Sequence, residues 1–163
     1  MTIQIPLTLG KVALIDDADE DVVRRHTWHA RCNAADRTCY ALTNVKDANR
    51  HRTISMHRLL LTPPSDMQVD HIDGDGLNNL RSNLRIVTRA QNQQNRRKPI
   101  NGLSSRFKGV SWRSHSNRWV ASITANGKCI RIGLFDSEED AARAYDEVAS
   151  EMFGEYARLN FSA

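Results

Sequence analysis

Cysteine is scarce and unpatterned in this chain. Cys32, Cys39 and Cys129 are the only three, and they form no CxxC pair. A zinc ribbon and a disulfide framework are therefore not expected, and a reduced setting fits best. No apolar run nears the roughly 20 residues that a membrane helix needs. The opening MTIQIPLTLG has no basic stretch followed by an apolar core, so no secretory signal is expected. The most informative absence is of one charge sign. Residues 81–131 carry twelve basic side chains and not one carboxylate. Residues 132–163 reverse this with two basic and eight acidic side chains, residues 1–67 nearly balance, and residues 68–80 hold only Asp70, Asp73 and Asp75. The net charge of +4 conceals that division. Ordinary solvated surfaces mix signs. An acid-free span of this length reads as facing a polyanion.

What is present begins with a β-rich first half. Ile3–Leu9, Lys11–Ile15, Cys39–Val45 and Thr53–Met56 have the β-branched or aromatic character of strands. Asp16–Arg25, acidic early and basic late, suits a short helix and its dipole. Trp28 is expected in the core of this unit. Ser55–Leu61 reads as a short helix stopped by Pro63 and Pro64. Its Leu59, Leu60 and Leu61 supply core, while His57 and Arg58 are candidates for supporting a neighbouring site or meeting phosphate.

Residues 68–97 change character. Gln68–Ile72 reads as a strand, Asp73-Gly74-Asp75-Gly76 as a turn-rich loop, and Leu84–Val87 as a second strand. Thr88 caps a polar helix over Arg89–Arg97. Cutting a phosphodiester needs a base for water and a cation to neutralise the charge that develops. An imidazole titrates near neutral pH, so His71 suits the base. Asp70 offers a hard oxygen to a divalent ion. Neighbours on a regular strand face opposite ways, so a bend or the end of the strand is expected there, which would let Asp70 and His71 approach one phosphate from different angles. Asn92 and Asn95 share a helix face, and an amide oxygen can complete a hard-metal site. Asn83, where the loop meets the second strand, is placed to pin loop backbone and hold His71.

The stretch DHIDGDGLNNLRSNLRIVTRAQNQQN resembles the HNH nuclease motif in its phage and intron-encoded homing form. HRLL at His57–Leu60 is also typical of that branch. The resemblance implies a ββα-metal unit over about 68–97. It makes His71 the general base, Asn83 the supporting residue, and Asp70 and Asn92 the ligands of one divalent ion. Mg²⁺ is the first expectation for that ion and Mn²⁺ the alternative. Asp73 and Asp75 are expected to shape the loop, and Asn95 is a weaker candidate than Asn92.

Lys98–Ser105 has the composition of a linker, which divides the chain into 1–97, 98–105 and 106–163. The last part predicts three strands, Phe107–Arg113, Arg118–Thr124 and Lys128–Phe135, with Asn126-Gly127 as a hairpin turn. An amphipathic helix follows, capped at Asp136 or Ser137 and ended by Gly154. The basic charge lies on the sheet and the acidic charge on the helix. From FKGVSW through IGLF and AARAYD to LNF, this part resembles the AP2 DNA-binding domain. That implies a three-stranded antiparallel sheet backed by one helix, with the sheet in the DNA major groove. Carried over by position, Lys108, Ser111, Arg113, Arg118, Thr124 and Arg131 are expected at the DNA. Ser111 and Arg131 depart from the residues usual in plant members, so plant target sequences do not transfer. Trp112 is expected on the DNA side with Trp119 in the core, or the reverse. Lys128 is expected to hold phosphate, and Arg85, Arg89, Arg96 and Arg97 join the DNA-facing set from the acid-free span.

Taken together these readings predict an α+β chain. It would be a metal-dependent, site-specific DNA endonuclease acting on duplex DNA as a monomer or dimer, in the cytoplasm of a bacterial or phage-infected cell. It would nick one strand per active site and leave a 5′-phosphate and a 3′-hydroxyl. The alternatives are a non-catalytic DNA-binding regulator with a degenerate HNH fold and, less favoured, an RNA-processing nuclease.

Overall fold

The computed structural model describes residues 1–33, 38–47, 50–99 and 103–161. It is a mixed α/β chain built from several small antiparallel sheets. Contacts divide it into two units, Met1–Asn92 and Gln93–Ala163. The stretch expected as a linker, 98–105, therefore lies inside the second unit, and residues 100–102 fall outside the described ones.

In the first unit β1 (Thr2–Pro6) and β2 (Val12–Asp16) form a hairpin, and β3 (His29–Asn33), β4 (Thr38–Asp47) and β5 (Arg50–Ser55) form a three-stranded sheet. The strand β3 was not expected from sequence, because HARCN has little β-branched character. It sets Cys32 directly opposite Cys39, and the two are disulfide-bonded. This corrects the expectation of unpaired cysteines; Cys129 is free and exposed. The acidic segment forms a 3-10 turn at Asp17–Asp19 and then α1 (Glu20–Arg24). Trp28 is buried, as its size demands, and its Nε1 donates to the Val23 carbonyl at 2.8 Å. Ile5, Ala13, Ile15, Val23, Ala41 and Met56 complete this core.

The helix α2 (Met56–Leu61) ends at Thr62, whose left-handed backbone (φ 41°) turns its amide onto the Arg58 carbonyl before Pro63. Then β6 (Gln68–His71) and β7 (Leu84–Val87) make a separate hairpin, followed by α3 (Arg89–Asn95). Thr88 and Gln91 cap α3 reciprocally. The Gln91 side-chain oxygen accepts from the Thr88 amide at 2.8 Å, and the Thr88 hydroxyl oxygen accepts from the Gln91 amide at 3.3 Å. The division between the two units falls within α3.

The second unit has β8 (Val110–Arg113), β9 (Arg118–Ala125) and β10 (Lys128–Phe135) in the sheet order β10-β9-β8, and α4 (Glu138–Phe153). Ser137 caps α4 by accepting from the Asp140 amide. Ala141, Ala142, Tyr145 and Ala149 are its buried residues, packed with Val110, Ala121 and Ile123 of the sheet. Gly109, at φ 76°, lets the chain pass against the Tyr145 ring, which a side chain there would strike. Asn160 stitches the end of the unit to its start, accepting from the Lys108 amide at 2.6 Å and donating from its own amide to Asp146.

Candidate active site

Pairing between β6 and β7 is regular: Gln68 faces Val87, Val69 faces Ile86, Asp70 faces Arg85 and His71 faces Leu84. No bend separates Asp70 from His71; of the two arrangements expected there, the structure has the strand end, at His71. By strand alternation Val69 and His71 share one side and Gln68 and Asp70 the other. Val69 belongs to the first unit's core, so the same side carries His71 inward.

His71 is 5% exposed. Its Nε2 lies 3.4 Å from Oδ1 of Asn79. Asn79 is fully buried and held from three directions. Its amide donates to the Leu14 carbonyl at 2.8 Å, its Nδ2 to the Leu77 carbonyl at 3.0 Å, and residues 77–79 thereby dock on β2. The ring of His57 stands at right angles to that of His71 with centroids 4.9 Å apart, and Tyr40 touches both. Ser55 Oγ sits 3.0 Å from His57 Nε2, while His57 Nδ1 is buried and has no hydrogen-bond partner among the described residues. Burial, reinforced by the neighbouring His71 and Arg58, pushes His57 down to about 3. Burial also lowers His71, against the Asn79 hydrogen bond and the charges of Asp73, Asp70 and Asp75, which raise it. A neutral imidazole at neutral pH results.

The loop between the strands is a knot of side-chain hydrogen bonds. Asp73 accepts from the Asp75 amide, from Asn78 Nδ2 and from Asn83 Nδ2, at 2.7, 2.8 and 2.9 Å. Burial alone would raise the Asp73 carboxyl, but these bonds hold it below its usual range. Asn83 also accepts from the Asp73 amide and donates to the Asn78 carbonyl. It therefore pins the loop; the direct contact with the imidazole is made by Asn79. Arg81 ties the loop to the acidic segment, placing Nε and Nη2 on the two oxygens of buried Asp19 at 2.9 and 2.7 Å. The run DDADED thus serves as an anchor as well as a helix start. Gly76 lets the loop lie against β4, since a side chain there would meet the Cys39 carbonyl and the Tyr40 ring.

On the other side of β6, Asp70 is 6% exposed. Its Oδ2 accepts from Arg85 Nε and Nη2, at 3.0 and 2.9 Å. Asn92 Nδ2 donates to Gln68 Oε1 at 2.6 Å, which brings α3 to the strand side that carries Asp70. Asn92 Oδ1 accepts no hydrogen bond from a described residue. A buried carboxylate and an amide oxygen without a described partner are hard donors, of the kind that a hard divalent ion accepts while completing its shell with water and phosphate. Among the described residues there is no cluster of three or more His, Cys, Asp or Glu that could hold an ion.

The remaining expected residues divide. By register Ser111, Arg113, Arg118, Thr124 and Arg131 all lie on the sheet face turned away from α4. Arg118 there pairs with Asp136 at 2.9 Å. Trp112 and Trp119 face each other directly across β8 and β9, edge to face at 5.0 Å; Trp119 packs against the core as the first assignment has it, and Trp112 is exposed but lies on the same sheet side rather than on the outward face. The Lys108 ammonium is turned onto the Gln94 carbonyl, and burial lowers it to about 8. Lys128 is exposed beside the hairpin turn, and Arg89, Arg96 and Arg97 are exposed along and beyond α3. Asn95 is buried. Asn79 and Tyr40 were missed by the sequence reading. Asn79 sits in a visible Asn-Asn pair whose members only the fold distinguishes, and Tyr40 carries no local signal at all.

Residues 62–94 match the HNH endonuclease family and residues 105–155 the AP2 domain family. An uncharacterized HNH endonuclease of Acanthamoeba polyphaga mimivirus is 41% identical over 113 residues, covering 66% of this chain and 57% of that protein. Protein 3.8 of Escherichia phage T7 is 34% identical over 96 residues, covering 59% of this chain and 78% of that protein. An ethylene-responsive transcription factor of Lotus japonicus is 44% identical over 63 residues, 37% of this chain and 23% of that protein. This chain thus spans little more than half the length of the mimivirus relative. It belongs to the HNH endonuclease family, and its second unit carries an AP2 domain.

Proposed function

We propose that this chain is a metal-dependent DNA endonuclease whose β6–β7 hairpin and α3 form the ββα-metal unit. The observation that carries the reading is the placement of His71. It is a buried neutral imidazole at the end of β6, held by Asn79, with Asp70 beside it on the opposite strand side. The Asn79 Nδ2 is committed to the Leu77 carbonyl, so its Oδ1 faces the ring and His71 Nε2 carries the hydrogen. Nδ1 is then the basic nitrogen, which takes the proton of the attacking water. Asp70 and Asn92 would hold one divalent ion, Mg²⁺ first among them. When bound, that ion neutralises charge on the scissile phosphate and on the leaving 3′ oxygen. Asn83 and Asp73 keep the loop from moving the imidazole away, and a phosphate lying over the end of the hairpin meets both strand sides. The products are a 5′-phosphate and a 3′-hydroxyl. One motif per chain implies a nick by a monomer, and a double-strand break by two copies.

The outward sheet face of the AP2 unit, with Ser111, Arg113, Thr124 and Arg131, would read the duplex, and Arg89, Arg96 and Arg97 would hold backbone. Action in the cytoplasm of a bacterial or phage-infected cell is supported by the phage source of one relative. The test is incubation with a phage or host genomic library and Mg²⁺, with mapping of the cut ends. His71→Ala should slow cutting by about 100-fold or more while DNA binding persists, and EDTA should stop cutting while sparing binding. Equal rates for wild type and His71→Ala would refute the assigned base. Binding without any cleavage by the wild type would favour the regulator reading.

A further inference from the structure

A cleft of about 600 Å³ opens on the first unit, lined by Arg31, Leu42, Arg52, Thr53, Ser55 and Arg58 among others. Three arginines meet there, and none of the described residues lining it is acidic. Arg31 and Arg52 make no hydrogen bond or ion pair with a described residue, and Arg58 spends one nitrogen on the Met67 carbonyl at 3.3 Å. Like charges gathered in a concave surface repel, and they raise the local concentration of an anion. Guanidinium forks match phosphate oxygens in particular.

The cleft is continuous with the candidate active site. Arg31 pairs directly with Tyr40, and Leu42 with Ser55, so these four lie on one face of the β3-β4-β5 sheet. Tyr40 is in ring contact with His71 at 5.9 Å, and Ser55 Oγ touches His57 at 3.0 Å. Arg31 therefore stands on the Tyr40 side of the sheet; Arg52, opposite Val45, belongs by register to the other face, and it and Arg58 join Arg31 as lining of the cleft.

We propose that this cleft is a phosphate-backbone subsite, holding the phosphates that flank the scissile one through Arg31, Arg52 and Arg58. The assignment of the scissile position rests on the nuclease reading above; the affinity for a phosphodiester backbone does not. It would give the first unit its own grip on the strand being cut, separate from the AP2 sheet.

The test uses the full chain with EDTA present, so that nothing is cut, and a fluorescein-labelled 40-base-pair duplex of mixed sequence over a salt series. Arg31→Gln/Arg52→Gln should flatten the slope of log K against log salt by about 2, since each phosphate contact contributes about 0.9. Both side chains are exposed and have no polar partner among the described residues, so the variant should fold as the wild type does. Arg24→Gln/Arg25→Gln removes the same charge elsewhere and should leave the slope unchanged. An unaltered slope in the cleft variant, or an equal change in the control, overturns the proposal. A preference of the cleft for polyglutamate over DNA would overturn it too. Cleavage with Mg²⁺ is scored separately. A flattened slope without wild-type cutting sinks the nuclease reading and leaves the cleft as a DNA site. Cutting with an unaltered slope does the opposite. With cutting, a photo-crosslinker on Thr53→Cys in a Cys129→Ser background should mark nucleotides adjacent to the cut, and distant marks would refute the placement.

Discussion

Arg85 sets Nε and Nη2 on the same carboxylate oxygen of Asp70, at 3.0 and 2.9 Å, from the position directly opposite across β6 and β7. Both side chains are largely buried, at 13% and 7% exposed. Breaking such a pair from one side leaves a buried charge uncompensated. Arg85→Met should therefore destabilise the first unit by about 3 kcal/mol. A divalent ion on Asp70 would supply the missing charge, so Mg²⁺ should raise the urea midpoint of the variant more than that of the wild type. Urea unfolding with and without the ion measures both effects. A variant as stable as the wild type would mean that the pair contributes nothing to the fold.

Acid should loosen the protein earlier than carboxylate titration alone predicts. His57 is pushed down to about 3 in the fold, against an ordinary value of 6.5 when unfolded. Between those values the unfolded chain binds a proton that the folded chain refuses, so stability rises with pH through this window. The contribution is complete above about 6.5 and is lost progressively below it, at up to about 1.4 kcal/mol per pH unit. His71, also lowered, acts in the same direction. Denaturant midpoints from pH 7 to pH 5 should fall steeply in the wild type and less steeply in His57→Gln. Parallel profiles would remove His57 from the account.

Gly76 should resist even the smallest side chain. A Cβ there would strike the Cys39 carbonyl oxygen and the Tyr40 ring, and backbone oxygen cannot swing aside. Gly76→Ala should lower stability by about 1–3 kcal/mol. By shifting Tyr40 from His57 and His71 it should also slow cutting. Thermal unfolding and the cleavage rate check the two effects, and an unchanged rate would show that Tyr40 does not help position the imidazole.

Much of this architecture was legible before folding. The strands Leu84–Val87 and Lys128–Phe135 and the helix after Ser137 stand where periodicity and capping put them. Each is a local pattern, with its signal lying within a few residues. The missed strand His29–Asn33 shows the converse. Its residues have weak strand preference, and it forms because β4 and Thr8 supply its hydrogen bonds. The Cys32–Cys39 pairing was lost with it. Asp16–Arg25 reads as a short helix and is one only over Glu20–Arg24, after a strand end and a 3-10 turn; its role as the anchor of Arg81 depends on a partner more than sixty residues away.

By itself the sequence determined the order of the chemistry: Asp-His, a turn-rich loop, Asn83, Asn92, and then an acid-free segment beside an acidic helix. Charge and spacing are properties of the chain and survive without coordinates. Only the tertiary structure decided that Asn79 touches the imidazole and Asn83 pins the loop. It alone turned Asp70 and His71 to opposite strand sides, drew Arg85 onto Asp70, and gathered Arg31, Arg52 and Arg58 around one cleft. Those relationships join elements far apart in sequence, and they arise where packing brings such elements together, which no local preference encodes.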